Sequence, residues 1–146
     1  MSKKLLAAVA LLLTGYAVGR VSSSPVSAQA TTTAAGHVYE LRTYTAAEGK
    51  FSNVLARFRD HTVQIFNKHN MKSIGYWTPL EGPNAETTLI YILEHPSREE
   101  ARKNWAAFQA DPEWVKAKTE SEVGGPILAK APDSVFLKPT DYSPLK

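Results

Sequence analysis

The sequence contains no cysteine, and this absence excludes several kinds of site at once. Without thiols there are no disulfide bonds, thiolate zinc sites, iron–sulfur clusters or cysteine nucleophiles. Most of the chain also carries no net charge. Three basic residues and no acidic residue precede Thr31, namely Lys3, Lys4 and Arg20. From Thr31 onward the chain therefore has 14 basic and 14 acidic residues. A neutral body argues against a nucleic-acid-binding protein, which needs a surplus of lysine and arginine on one face.

The sequence also has only one long hydrophobic run, and this run lies near the N-terminus. Leu5–Gly19 follows the positively charged start Met1–Lys4. As a helix this run would reach about 22 Å at 1.5 Å per residue, against roughly 30 Å of hydrocarbon in a bilayer. The length therefore favours a bacterial Sec-type signal peptide over a stable membrane span.

Small residues after this run suit signal peptidase cleavage after Ala30 or Ala28, and we favour Ala30. We predict that residues 1–30 are a signal peptide, that residues 31–36 are a linker, and that the protein is periplasmic or secreted. The stretch between the run and the cut is long for a signal peptide. An uncleaved inner-membrane anchor through residues 5–19 is therefore the alternative, and membrane association is expected only in that case.

Residues 37–140 are predicted to form one domain in the order β-α-β-β-α-β, with residues 141–146 as a tail. Strands are indicated by period-two patterns rich in β-branched and aromatic residues, and helices by apolar spacings of three and four. Asn70 is predicted as a left-handed helix cap, and Ser97 and Asp111 as N-caps. The predicted strands are His37–Tyr44, Met71–Thr78, Thr87–Glu94 and Asp133–Lys138, and the predicted helices are Glu48–His69, one after Ser97 and a short one after Asp111.

This order is typical of an α+β, ferredoxin-like fold, in which one antiparallel sheet carries both helices on one face. Thr87–Glu94 has apolar residues on both faces, so we place it in the centre of the sheet with both sides covered. The helices cover one side. A second copy of the chain would cover the other, which predicts a homodimer that pairs into a dimeric α+β barrel.

Several separated motifs, in this order, resemble the NIPSNAP domain family. They are Tyr39-Glu-Leu-Arg-Thr-Tyr44, Phe66-Asn-Lys-His69 with Met71, Gly75-Tyr-Trp77, and Trp105 through Phe108 to Asp111-Pro-Glu-Trp114. The resemblance covers nearly the whole body, and it implies the dimeric α+β barrel fold predicted above. The family has no agreed catalytic residues, so the resemblance implies neither a catalytic set nor a cofactor, and we expect no cofactor.

Glu40, Arg42 and Tyr44 are the first candidate ligand-binding residues. Alternate residues of a strand point to the same face, so these three side chains form one row. In an apolar setting such charges persist only when they are paired. Two interpretations stay open: an ion pair that fixes the register of the sheet or dimer, which we favour, or a polar cluster that orients a small ligand.

His69 and Trp77 complete the candidate set. Superfamily relatives that bind haem use a histidine on a helix, but His69 ends the long helix, where bonding to the last carbonyls is the favoured interpretation. Trp77 is one of six aromatic residues that we assign mostly to core and interface, with a minority available to line a pocket. The other five are Tyr76, Tyr91, Trp105, Phe108 and Trp114. The four histidines show no metal-binding spacing, and we predict no metal site.

The sequence therefore predicts an exported, homodimeric NIPSNAP-like protein that binds a small molecule or a partner protein, and it favours this non-catalytic role over an enzyme without deciding between them. The alternative is a small cofactor-free monooxygenase or isomerase of the same superfamily, with Glu40, Arg42, Tyr44 and His69 around the substrate. A pocket beside Glu40 and Arg42 would favour ligand chemistry, whereas a tightly packed interior would favour a structural role.

Overall fold

A computed structural model describes residues 37–145, and the predicted signal peptide, the predicted linker and Lys146 of the predicted tail lie outside the described residues. The strands are β1 (Val38–Thr45), β2 (Lys72–Trp77), β3 (Thr88–His95) and β4 (Asp133–Leu137). The helices are α1 (Phe51–Arg57), α2 (Val63–Lys68), α3 (Arg98–Ala110) and α4 (Pro112–Ser121), with a π-helical turn, Phe58–Thr62, between α1 and α2. In this part of the chain no helix is long and apolar enough to cross a membrane.

The sheet has the strand order β2-β3-β1-β4, and every neighbouring pair is antiparallel. The predicted ferredoxin-like arrangement is therefore confirmed, with β3 inside the sheet as its two apolar faces indicated. The helices pack on the face that carries Tyr44 and Tyr91, because Phe58 and Phe66 lie against those rings. This face contains the core.

The long helix differs from its prediction in the middle. It begins at Phe51 rather than Glu48, and the π-helical turn separates α1 from α2. The Thr62 hydroxyl donates to the Arg57 carbonyl at 3.1 Å and so satisfies a backbone acceptor at the turn. The side chain of Arg57 is buried there. π-Helical turns are frequent at functional sites, which directs attention to Arg57.

The ends of the helices follow the predicted caps. Asn70 has φ 55°, and Met71 N–H donates to the Phe66 carbonyl at 2.9 Å, which is the bonding of a left-handed helix end. Ser97 accepts from Glu100 N–H at 3.1 Å at the start of α3. Asp111 accepts from Glu113 N–H at 2.8 Å at the start of α4. These caps fix where α2, α3 and α4 meet.

The helix-free face of the sheet is largely apolar. Leu41 pairs with Ile92 on one side and with Val135 on the other, so the three side chains share this face. Trp77 also lies here, 48% exposed, with its ring directly over Gly75. A Cβ atom added to Gly75 would meet that ring at 2.7 Å, so only glycine allows this contact.

Candidate functional site

Glu40 lies at the centre of a buried polar network on the helix side of β1. Its Oε2 accepts from Trp105 Nε1 at 2.7 Å and lies 3.1 Å from His95 Nε2. Its Oε1 accepts from Ser134 Oγ at 2.7 Å and from Arg42 Nη1 at 3.0 Å. Glu40 is 2% exposed, so these four groups replace water around a full negative charge.

The network holds Glu40 ionised. Burial raises the pKa of Glu40, but hydrogen bonds from His95, Trp105 and Ser134 and the charge of Arg42 outweigh burial and lower the pKa to about 2. Burial in turn lowers the pKa of Arg42, but its polar neighbours, Glu40 among them, outweigh that effect and raise it. The ion pair therefore keeps both charges at every pH at which the protein is expected to work.

Arg42 also forms one end of a cleft of about 600 Å³ on the helix side of the sheet. Its guanidinium carbon lies 4.5 Å from the centre of the Trp105 ring and 5.7 Å from that of Tyr44. Distances of this size are typical of cation–π contacts. Glu40 lies two residues before Arg42 on β1. It does not line the cleft, but it orients Arg42, and Arg42 lines the cleft.

Arg57 forms the other end of the cleft in the same manner. Its guanidinium carbon lies 5.2 Å from the centre of the Trp114 ring. Its Nη1 donates to Glu122 Oε1 at 2.9 Å and to Ser121 Oγ at 3.3 Å, at the C-terminal end of α4. Each end of the cleft therefore has an arginine that is stacked on a tryptophan and paired with a carboxylate.

An aromatic strip joins the two arginines. Phe108 lies between Trp105 and Trp114, with ring-centre distances of 5.4 Å and 4.5 Å. Residues 127–129 are fixed to the end of β1 by backbone hydrogen bonds of 3.0 Å and 2.9 Å, and the neighbouring side chain of Leu128 closes one wall. The remaining lining residues are Tyr44, Gln109, Val115, Lys118, Thr119, Glu122 and Pro132.

The structure brings three of the five candidate residues together. Arg42 and Tyr44 line the cleft, and Glu40 supports Arg42 from beneath. His69 does not line it: its Nε2 lies 2.7 Å from Asp111 Oδ2, between the end of α2 and the start of α4. Trp77 lies on the opposite face of the sheet. This placement is compatible with both interpretations of Glu40 and Arg42, as an ion pair and as part of a ligand site.

Asp111 explains the position of His69. Hydrogen bonds from Lys68 and His69 outweigh desolvation and hold the pKa of the Asp111 carboxyl well below its usual range. Asp111 also caps α4, so His69 contributes to a junction between helices. Among residues 37–145 no group of three or more histidine, aspartate or glutamate side chains is placed to hold a metal ion.

Sequence reasoning missed Arg57 and Lys118, and it assigned Trp105 and Trp114 mostly to the core. A signal for Arg57 does exist, because it stands three residues after Val54 and beside Phe58, at the edge of the buried stripe of the helix. Lys118 stands four residues after Trp114, on the same face of α4. No signal in the sequence shows that these side chains line one cleft with Arg42 of β1.

The comparisons with known proteins agree with this fold. A family model described as NIPSNAP matches residues 39–144. Among solved structures, a NIPSNAP family protein of unknown function from Agrobacterium tumefaciens is 23% identical, with 77% of this chain and 96% of that chain covered and a TM-score of 0.65. An uncharacterised NIPSNAP-like domain protein from Burkholderia xenovorans is 20% identical, with coverages of 77% and 93% and a TM-score of 0.64.

A more distant likeness connects the chain to another group. A putative antibiotic biosynthesis monooxygenase from Nitrosomonas europaea is 9% identical, with 75% of this chain and 95% of that chain covered and a TM-score of 0.51. At these identities the solved structures are alike in fold alone. The comparison with curated proteins gives no match.

Proposed function

The chain belongs to the NIPSNAP family, and from that premise we propose that it is an exported, homodimeric protein that binds a small organic molecule in the cleft between β1, α3 and α4. The observation that carries the proposal is the aromatic strip Trp105–Phe108–Trp114 with a stacked arginine at each end. The cleft volume of about 600 Å³ lies within the range of small-molecule sites, about 300–1,000 Å³.

The contacts of the carboxylates favour binding over catalysis. A general base needs a pKa near the working pH, whereas the pKa of Glu40 is lowered to about 2 and all four of its partners stabilise the ionised form. Glu122, the acid that lines the cleft, is engaged by Arg57 at 2.9 Å. These contacts support a binding role over the monooxygenase or isomerase alternative.

Native mass spectrometry of the protein purified from its own cell envelope tests the binding role. We expect one small molecule to be retained per protomer. Val115→Trp, which fills the cleft from α4, should abolish retention, because Val115 lines the cleft and is 51% exposed. Val123→Trp is the matched control, since Val123 is exposed and does not line the cleft. A protein without bound mass, or one that retains only another protein, would contradict the proposal.

The homodimer is proposed to form through the helix-free face, with a second copy as the occupant. That face exposes Trp77, Val135 and Leu137 around the half-buried Ile90 and Ile92. Its charged residues lie at the margins: Lys72 and His37 both contact Glu94 at one end, and Asp133 of β4 lies at the other. An apolar centre with a polar rim suits pairing with an identical surface.

A charge placed on this face is expected to dissociate the dimer. Val135→Glu should raise the dimer dissociation constant roughly 100-fold or more, because a buried, unpaired charge at an interface costs several kcal/mol. Val115→Glu is the matched control, since Val115 is 51% exposed and Val135 is 53% exposed. Light scattering at micromolar concentration measures both masses. A monomeric mass for the unaltered protein would refute the homodimer.

Export is expected to leave a mature chain that begins at Thr31. Intact-mass measurement after cell fractionation should find it in the periplasm or medium. Replacement of both small residues by glutamine, Ala28→Gln with Ala30→Gln, should leave the full-length chain in the membrane fraction, because signal peptidase requires small side chains there. A full-length unaltered protein in the inner membrane would instead support the anchor, and a cytoplasmic one would refute export.

A further inference from the structure

The charges around the cleft are unequal at its two ends. At the first end Arg42 is balanced by Glu40, and the pair is neutral. At the second end Arg57 is balanced by Glu122, but Lys118 also lines the cleft there. Lys118 has no acidic side chain within ion-pair distance in the described part of the chain. The Arg57 end therefore carries one positive charge in excess.

A buried donor without a partner lies at each end of the cleft. The Nε atoms of Arg57 and of Arg42 are both buried and find no hydrogen-bond partner among residues 37–145. A buried donor without a partner is costly and is normally satisfied. An acceptor oxygen could approach a guanidinium at either end of the cleft, but only at the Arg57 end would it also meet the excess positive charge of Lys118.

The middle of the cleft selects for shape. The rings of Trp105 and Phe108 meet edge to face at 86°, those of Phe108 and Trp114 are tilted by 37°, and Leu128 also lines the cleft. A planar, apolar group can lie against one of these rings and meet the edge of the next, and both arrangements are favourable for aromatic pairs. The body of the ligand is thus expected to be flat and uncharged.

Building on the proposed function, we propose that the ligand is a small planar monocarboxylate, with its ring on the Trp105–Trp114 strip and its carboxylate at the Arg57 and Lys118 end. A single negative charge matches the excess of one positive charge. A dicarboxylate would bring a second charge to the Arg42 end, which Glu40 already neutralises at 3.0 Å. Carboxylate and guanidinium form strong, charge-assisted hydrogen bonds.

A panel of three probes with one ring system tests this assignment: indole-3-acetate, its amide and tryptamine, each titrated against the full chain by calorimetry. We expect the acid to bind roughly tenfold or more tightly than the amide, and tryptamine to bind more weakly than either. Lys118→Gln should weaken binding of the acid roughly fivefold and leave binding of the amide unchanged. Lys116→Gln is the control, because Lys116 lies on the same helix and does not line the cleft.

The outcomes separate this inference from the proposed function. Equal affinities for acid and amide, tighter binding of tryptamine, or an equal effect of the two lysine substitutions would overturn the monocarboxylate and leave a small-molecule site in place. If none of the three probes binds while native mass spectrometry shows a retained molecule, the ligand class is wrong and the proposed function stands. If no molecule is retained and no probe binds, both are wrong.

Discussion

Glu40→Gln is expected to lower the free energy of unfolding by about 3–5 kcal/mol at pH 7, the cost of breaking a buried ion pair from one side. Glutamine keeps the shape of the side chain but leaves the charge of Arg42 without a partner. Its amide nitrogen also presents a donor where Trp105 or Ser134 donates now. Urea denaturation at a fixed protomer concentration measures the loss, since dimerisation would otherwise change the apparent stability.

The free energies of unfolding of the Glu40→Gln variant and of the unaltered protein should converge at acidic pH. The pKa of Glu40 is lowered from 4.5 to about 2 in the folded protein, so its stabilising contribution is complete above about pH 4.5 and is lost as the pH falls towards 2. A shift of this size corresponds to about 3 kcal/mol. Asp111 titrates at low pH in both proteins, so its effect cancels in the difference. The gap between the two proteins should therefore narrow between pH 5 and pH 2.

Glu120→Gln is the matched control for this prediction. Glu120 is exposed and lies 3.9 Å from Lys116, an arrangement that contributes little to stability. We expect its free energy of unfolding to stay within about 0.5 kcal/mol of the unaltered protein. If the difference in free energy of unfolding between Glu40→Gln and the unaltered protein stayed constant from pH 7 to pH 2, Glu40 would not be ionised in the folded protein as described.

Local rules were enough for most of the fold. Asn70, Ser97 and Asp111 end or begin helices because their side chains suit those backbone positions, and no distant contact is needed to see it. The two apolar faces of β3 likewise indicated its central place. The π-helical turn escaped prediction because Phe58 and Thr62 are four residues apart, a spacing that an ordinary α-helix also produces.

The candidate site could be predicted less completely from local sequence patterns. Alternation along β1 placed Glu40 and Arg42 on one face, but the other three partners of Glu40 are 55, 65 and 94 residues away along the chain. Trp77 shows a different obstacle. A β-bulge between Ser73 and Gly75 changes the alternation, so that Ser73 and Tyr76 face the helices and Trp77 faces away. No pattern in β2 reveals the bulge.

Phe66→Ala is expected to cost about 3–5 kcal/mol of stability, the usual loss when a buried phenylalanine is truncated. Phe66 is fully buried, and its ring contacts four others, namely those of Phe58, Tyr91, Trp105 and Phe108. The substitution would leave a cavity between the sheet and the aromatic strip. Urea denaturation measures the loss, and Leu80→Ala, at a residue 98% exposed, should change stability by less than about 0.5 kcal/mol.

The same substitution distinguishes a preformed cleft from a tightly packed interior. Phe66 supports Trp105 and Phe108 from behind, with ring-centre distances of 5.5 Å and 4.9 Å, so its truncation loosens the strip on which the ligand ring is proposed to lie. Phe66→Leu leaves a smaller cavity and should cost less than Phe66→Ala, with a smaller loss of probe affinity. A loss below about 1 kcal/mol for Phe66→Ala would mean that the helices do not pack on the sheet through this ring. Stability that fell while probe affinity stayed constant would place the ligand elsewhere, because a ring on the Trp105–Trp114 strip depends on the residue behind it.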